Sequence, residues 1–295
     1  MARATGKVCV IGADGYLGSW VVKHLISNNY TVHDTVRQPD SWNAKYAHLN
    51  QLERANVLDY DSICSAIASC IGVFHVASPV PSTIVPNPQE EVIEPAVKGT
   101  LNVLKACVES NVKRVVVVSA VSLNTRWPVG QIKDEACRSD KEYCAATKNW
   151  YCLSKTEAEI EAFEFAKRSG LDVITSTINA SSKVLFNLLK EGYDSLENKL
   201  QKIVDVRDIA QALLLVYEKN LYVTSSSLLY MAWDFSCMIF FFVILNHLCN
   251  GSFSEGGEED TISSEKLQRL GWSYRPLEET LVDSIESYKK AGILD

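Results

Sequence analysis

The chain has 295 residues, 47% of them hydrophobic and 22% charged, the balance of a globule large enough for one α/β unit or a nucleotide-binding half with a smaller lobe. With 36 acidic residues against 29 Lys and Arg, its net charge of −7 argues against nucleic acid or an anionic membrane as the main partner. The nine cysteines follow neither a metal-site nor a disulfide rhythm, and the first residues show no signal-peptide pattern. A reduced, cytoplasmic chain with no metal centre is therefore expected.

In chain order, Lys7–Ile11 is a short apolar run expected to be a strand, and a glycine-rich turn follows it. Leu17, Val21 and Leu25, widened by Val22 and Ile26, recur at helical spacing and predict a helix over Tyr16–Asn28. The β-branched run Thr31–Val36 reads as the second strand. Strand, glycine turn, helix and strand within about thirty residues form a βαβ unit. The alternation continues with a strand at Val73–Ala77, a helix marked by Val97, Leu101, Leu104 and Val108, and a strand at Val115–Val118 that is apolar on both faces. A helix over Tyr151–Lys167, a strand over Leu171–Thr175 and a helix over Asp205–Tyr217 come next. A last helix starts near Pro276, carries acidic residues early and Lys289 and Lys290 late, and is followed by Gly292. The fold class is thus a Rossmann-type doubly wound parallel sheet. The nucleotide-binding domain is expected over residues 1–175, and a substrate lobe with closing helices over 176–295.

One segment breaks this pattern. No Lys or Arg occurs between Lys219 and Lys266, and within that stretch Met238–Leu245 reads MIFFFVIL. A membrane helix needs about 20 apolar residues, and Asp234, Asn246 and His247 interrupt this one, so a span is disfavoured. A buried strand or helix is commoner for so short a run. The abrupt change of composition over 220–250 favours a third reading, a segment foreign to the fold from a sequence error or an alternative splice product.

The turn Gly12-Ala13-Asp14-Gly15-Tyr16-Leu17-Gly18 opens a helix directly after a strand, the context a phosphate-binding turn requires. Gly12 permits the tight exit from the strand, Gly15 lets the backbone approach a pyrophosphate, and Gly18 lets the helix lie close to the sheet. The N–H groups around Tyr16 and Leu17 face the same anion. An acidic residue at the end of the second strand would favour NAD(H). This chain has Arg37 there, with Lys45 nearby, and an arginine fork suits a 2′-phosphate. NADP(H) is the expected cofactor.

Tyr151 and Lys155 lie four residues apart on one helix and share a face. A phenol is a poor proton donor near neutrality, and a neighbouring ammonium is expected to lower its pKa. Tyr151 would then protonate a carbonyl oxygen as hydride reaches the carbon, while Lys155 also holds the nicotinamide ribose. A hydroxyl orienting the substrate oxygen is expected at the end of the Val115–Val118 strand, from Ser119 or Ser122.

These residues resemble the extended short-chain dehydrogenase/reductases of plants, in particular the cinnamoyl-CoA reductase and dihydroflavonol reductase group. The similarity spans most of the chain, through VHDTVR at 32–37, VFHVASP at 73–79, EPAVKGTLN at 94–102 and DVRD at 205–208. Its most specific piece is Lys148-Asn149-Trp150-Tyr151-Cys152, similar to the cinnamoyl-CoA reductase signature around the catalytic tyrosine. The continuation Leu153-Ser154-Lys155, where that signature has Tyr-Gly-Lys, places the chain with the reductase-like relatives. The resemblance implies that Ala77 and Ser78 lie beside the nicotinamide ribose, and that Asn56, with Val57, stands where the family has an adenine-contacting aspartate.

Four departures accompany it. The family's catalytic serine falls on Ala120. The third strand is expected to be missing ahead of Ala55-Asn56-Val57. About ten residues of a site loop are expected to be absent after Thr175, and 220–250 replaces part of the substrate lobe. The expected function is NADPH-dependent hydride transfer to an aldehyde, ketone or acyl-CoA thioester carbonyl of a small phenylpropanoid-like substrate. The alternative is a catalytically impaired dinucleotide-binding homologue.

Overall fold

The computed structural model describes residues 5–36, 52–79, 85–119, 139–177, 196–198, 204–219, 227–230, 253–255 and 263–292. Strand β1 (Gly6–Ile11) turns into helix α1 (Tyr16–Ser27), and β2 (Tyr30–Val36) returns beside β1. Next come β3 (Leu52–Arg54), α2 (Tyr60–Ile67) and β4 (Gly72–His75). A π-helical turn at Gln89–Ile93 leads into α3 (Glu94–Glu109), followed by β5 (Arg114–Ser119), α4 (Lys141–Ala146), α5 (Trp150–Ser169) and β6 (Asp172–Thr177). The remainder holds β7 (Leu196–Asn198), α6 (Val206–Glu218), β8 (Ser227–Tyr230), β9 (Phe253–Glu255), α7 (Glu265–Arg269) and α8 (Leu277–Lys290).

Seven parallel strands form the main sheet in the order β3-β2-β1-β4-β5-β6-β8. The order reverses between β1 and β4, and an open α/β sheet binds ligands at the carboxyl ends flanking such a reversal. The pair β7 and β9 forms a second, two-stranded sheet. The third strand, expected to be missing, is present in abbreviated form. Leu52–Arg54 pairs with Asp34–Val36 in parallel register, at the edge of the sheet. Its three residues precede Ala55, so the sequence offers no apolar run by which to recognise it.

The sheet is covered on both faces, as its β-branched central strands require. On one face Cys9, Ile11, Val73, Val115 and Val117 pack with Ile63 and Ile67 of α2, Val103 and Leu104 of α3, and Ala162 and Ala166 of α5. On the other, Val8, Val10, Phe74, Val116, Val118 and Ile174 meet Val21 and Leu25 of α1 and Ile209, Leu213 and Val216 of α6, with Leu267 and Trp272 completing the layer. Elements beyond residue 175 therefore build the core of the nucleotide-binding half. β6 itself continues to Thr177 and β8 extends the same sheet.

The DVRD segment fastens this second layer. Asp205 caps α6 by accepting from the Arg207 N–H at 2.8 Å, and the Arg207 guanidinium bridges Asp205 and Asp283 of α8, each at 2.6 Å. Asp208 is gripped by the Arg275 guanidinium and by its N–H at 2.7 Å, while Trp272 Nε1 donates to the Asp208 carbonyl at 2.9 Å. At the other end of α6, Arg114 donates to the terminal carbonyls of Tyr217 and Lys219 at 2.8 and 2.6 Å and pairs with Asp172. This satisfies helix-end acceptors and opposes the negative end of the dipole. Among the described residues no helix is long and apolar enough to cross a membrane; residues 231–252, with the MIFFFVIL run, lie outside the described residues.

Candidate active site

The glycine turn sits at the switch point, between β1 and the end of β4. Gly12 has φ +90°, a left-handed conformation that favours glycine. A Cβ there would lie 2.8 Å from the backbone of Ala77, so the missing side chain lets the turn close on the segment after β4. A Cβ on Gly18 would lie 2.1 Å from the Gly12 carbonyl oxygen, which explains how α1 packs so tightly on the turn. Gly15 differs: a Cβ there would meet only the Gly12 carbonyl oxygen, at 3.4 Å. That position keeps open space above the helix start, where a phosphate would need it. Among the described residues no side chain caps α1, and no acidic residue lies in its first turn. Its N–H groups, those of Tyr16 and Leu17 included, thus offer an uncompensated positive end. Tyr16 is exposed and Leu17 half-buried. The residues present fit a dinucleotide's pyrophosphate.

Beside the turn, a cavity runs between the carboxyl ends of β4 and β5 and helices α3 and α5. Of the predicted residues it gathers Val57, Ala77, Ser78, Ser119 and Lys155. Gly99 makes room for Val57, since a Cβ there would lie 2.8 Å from Val57 Cγ2. Asn102 Nδ2 holds the Val57 carbonyl at 2.9 Å. Asn56 adjoins the cavity in sequence and organises its own turn, its Oδ1 accepting from the Leu58 N–H at 3.1 Å.

Helix α5 is started by Asn149, whose side chain accepts from the Cys152 N–H at 3.1 Å, and stopped by Gly170 at φ +74°. Its small residues Ala158, Ala162 and Ala166 are buried and let it lie close to α3 and the sheet. Tyr151 and Lys155 thus stand in its first turns on one face. Lys155 is 6% exposed and its Nζ donates to the carbonyl of Val118 at 2.7 Å. Burial pushes this ammonium down to about 8, with Glu159 opposing the shift. Tyr151 is half-buried, and its phenol is raised, not lowered, first by burial and then by Cys152. The expectation that Lys155 would acidify it is corrected. The ammonium donates to the Val118 carbonyl, and withdrawal of the phenol from water is the main cause of its shift. The protonated phenol, the form a proton donor needs, is the one favoured.

Ser119 is 2% exposed, lines the cavity, and its Oγ has no hydrogen-bond partner among the described residues; Ser78 Oγ is likewise buried and unpartnered. Ser122, Ala120, Arg37 and Lys45 lie outside the described residues, as does the segment after Thr177 where a site loop is expected to be absent. Asp34, three residues before Arg37, lies buried inside β2. Sequence reasoning missed the three polar residues among the rest of the lining, His75, Thr100 and Glu159. His75 Nε2 contacts Thr100 Oγ1 at 3.2 Å, and Glu159, 2% exposed, lies one turn beyond Lys155. The i, i+4 spacing from Lys155 was the available signal for Glu159. A histidine inside the apolar β4 was the signal for His75.

A glycine turn at the switch point of a doubly wound sheet, beside a cavity lined by Lys155 of α5, with Tyr151 one turn earlier on that helix and outside the lining, has the layout of a short-chain dehydrogenase/reductase of the extended type. The chain belongs to the NAD dependent epimerase/dehydratase family, whose pattern matches residues 8–180. It is 35% identical to cinnamoyl-CoA reductase 1 of Petunia hybrida, over 100% of this chain and 96% of that one. The crystal structure of vestitone reductase from alfalfa superposes with a TM-score of 0.78 at 27% identity, covering 98% of this chain and 100% of that one. Yeast methylglyoxal/isovaleraldehyde reductase, solved with NADPH, has the same fold, with a TM-score of 0.79 at 20% identity over 98% of this chain and 100% of that one.

Proposed function

We propose that this protein is an NADPH-dependent reductase acting on an aldehyde, ketone or acyl-CoA thioester carbonyl of a small phenylpropanoid-like substrate in the cytoplasm. The observation that carries the reading is the juxtaposition of Lys155 with Ala77, Ser78 and Ser119 in one cavity next to an uncapped helix start. The full-length similarity to a cinnamoyl-CoA reductase supports the substrate class. Arg37, with Asp34 drawn back into β2, supports the 2′-phosphorylated cofactor.

When bound, the cofactor supplies hydride. The glycine turn and first turn of α1 hold its pyrophosphate, and Lys155 with Ser78 holds the nicotinamide ribose. Ser119 Oγ donates to the substrate carbonyl oxygen, and Tyr151 delivers the proton that this oxygen takes up as it becomes a hydroxyl. Such proton transfer is typically worth ~10²–10⁴-fold.

The test is NADPH binding, followed by nicotinamide fluorescence, and then turnover with hydroxycinnamoyl-CoA esters, cinnamaldehydes and dihydroflavonols. Tyr151→Phe should keep binding and lose turnover; turnover surviving that change would refute the assignment of the acid. One observation favours a second reading, a binding-only homologue: Ala120 stands where the related enzymes carry a serine. Binding without turnover in the unaltered chain would select it.

A further inference from the structure

The proton and hydride steps above give no role to the one acidic side chain among the described residues lining the cavity. Glu159 lies on α5 four residues after Lys155, is 2% exposed, and lines the same cavity. A carboxylate withdrawn from water is costly unless a cation or donors compensate it.

The groups around Lys155 come from every element packed there. From β5 come the Val118 carbonyl, already accepting from Nζ at 2.7 Å, and the Ser119 hydroxyl. From α3 comes the Thr100 hydroxyl, and from β4 His75, which burial first and Lys155 second hold far below the usual imidazole range, at about 3. His75 is therefore neutral at physiological pH and would repel the ammonium if charged. The Val118 carbonyl favours the charged lysine through its hydrogen bond, and among the described ionisable groups lining the cavity Glu159 favours it by charge.

We propose that Glu159 is a positioning residue for Lys155: its buried carboxylate, one turn along α5, balances the ammonium and keeps it seated on the end of β5. The inference rests on the reading of Lys155 as the cofactor-holding cation. It adds that this cation is not self-sufficient in a cavity walled by Val57, Pro79, Pro95 and Val117. A lysine in such surroundings surrenders its proton readily, and a neutral amine does not attract the cofactor.

The test reads Lys155 directly. In protein labelled with [¹³Cε]lysine, its NMR resonance, assigned with Lys155→Arg, is titrated in the unaltered chain and in Glu159→Gln. The expected result is a midpoint at least one pH unit lower in Glu159→Gln, a tenfold or greater loss of proton affinity. NADPH affinity should fail at correspondingly lower pH. An unmoved midpoint, with unmoved pH dependence of binding, overturns the proposal and leaves Glu159 a packing residue. If Glu159→Gln does not fold, Glu159→Asp, which draws the charge back by one methylene, should move the midpoint in the same direction by less; no movement there overturns it equally. A chain that binds no NADPH at any pH would sink the reductase reading, and the lysine titration would still decide the role of Glu159.

Discussion

Lys155 Nζ meets the carbonyl oxygen of Val118 at 2.7 Å across 37 residues of sequence, tying the first turns of α5 to the carboxyl end of β5. The bond seats Lys155 against the residue before Ser119. Lys155→Met is expected to lower turnover by ~10²-fold or more and to weaken NADPH binding as well, whereas Tyr151→Phe should spare binding. Equal affinities in the two variants, measured by fluorescence titration, would contradict the division of labour.

Burial holds Lys155 at about 8 and raises Tyr151 above its ordinary value. As pH rises, the lysine therefore loses its charge before the phenol loses its proton. The carbonyl-reducing kcat/KM should decline above pH of about 8, and in Lys155→Arg, where the cation does not titrate in that range, the remaining activity should stay level. A pH–rate profile of both proteins checks this.

Ser119 and Ser122 divide cleanly by experiment. With a buried, unpartnered Oγ in the cavity, Ser119 should be the oxyanion donor. Ser119→Ala is expected to reduce kcat by ~10²–10³-fold with the NADPH Kd unchanged, while Ser122→Ala should be nearly silent. The reverse pattern would move the role to Ser122.

Gly18→Ala drives a methyl to 2.1 Å from the Gly12 carbonyl oxygen. Backbone is the obstacle, so α1 must move. A stability loss of ~1–3 kcal/mol and a marked loss of NADPH affinity are expected from urea unfolding and fluorescence titration. Wild-type affinity in the variant would show that the turn does not carry the phosphates.

His75 gives stability a pH dependence. In the unfolded chain it takes up a proton as pH falls through 6.5, whereas the buried ring resists until about 3. Its contribution is therefore complete at neutral pH and is lost progressively as pH falls between those values. By linkage the loss is about 2 kcal/mol at pH 5. His75→Gln should be less stable at pH 7 but should lose about that much less on acidification, as read by urea midpoints at the two pH values.

Much of this was legible because the signals were local. The glycine spacing at 12, 15 and 18, the stripe of Leu17, Val21 and Leu25, and the unbroken Val115–Val118 run each specify one element without distant help. β3 escaped because Leu52-Glu53-Arg54 has no hydrophobic pattern and is a strand only by pairing with β2. α2 is less legible although Asp59 caps it, because the apolar Ile63, Ala66 and Ile67 are few in a helix of eight residues. In the site, the Tyr–Lys spacing could be read, but the sign of the shift on Tyr151 could not. That depends on how deeply α5 sinks into its neighbours, a tertiary property. Glu159 belonged to the same helical face and needed only the step from Lys155 that had been taken from Tyr151.

The layer in which α6, Leu267 and Trp272 cover Val8, Val10 and Val116 has a practical consequence. A fragment ending near residue 175 would present an oily sheet surface to water, stripped of the cover that the last third of the polypeptide provides. Such a fragment should precipitate on expression instead of yielding an isolated nucleotide-binding module. Premature termination would accordingly abolish cofactor capture even though the glycine turn, Tyr151 and Lys155 had been translated.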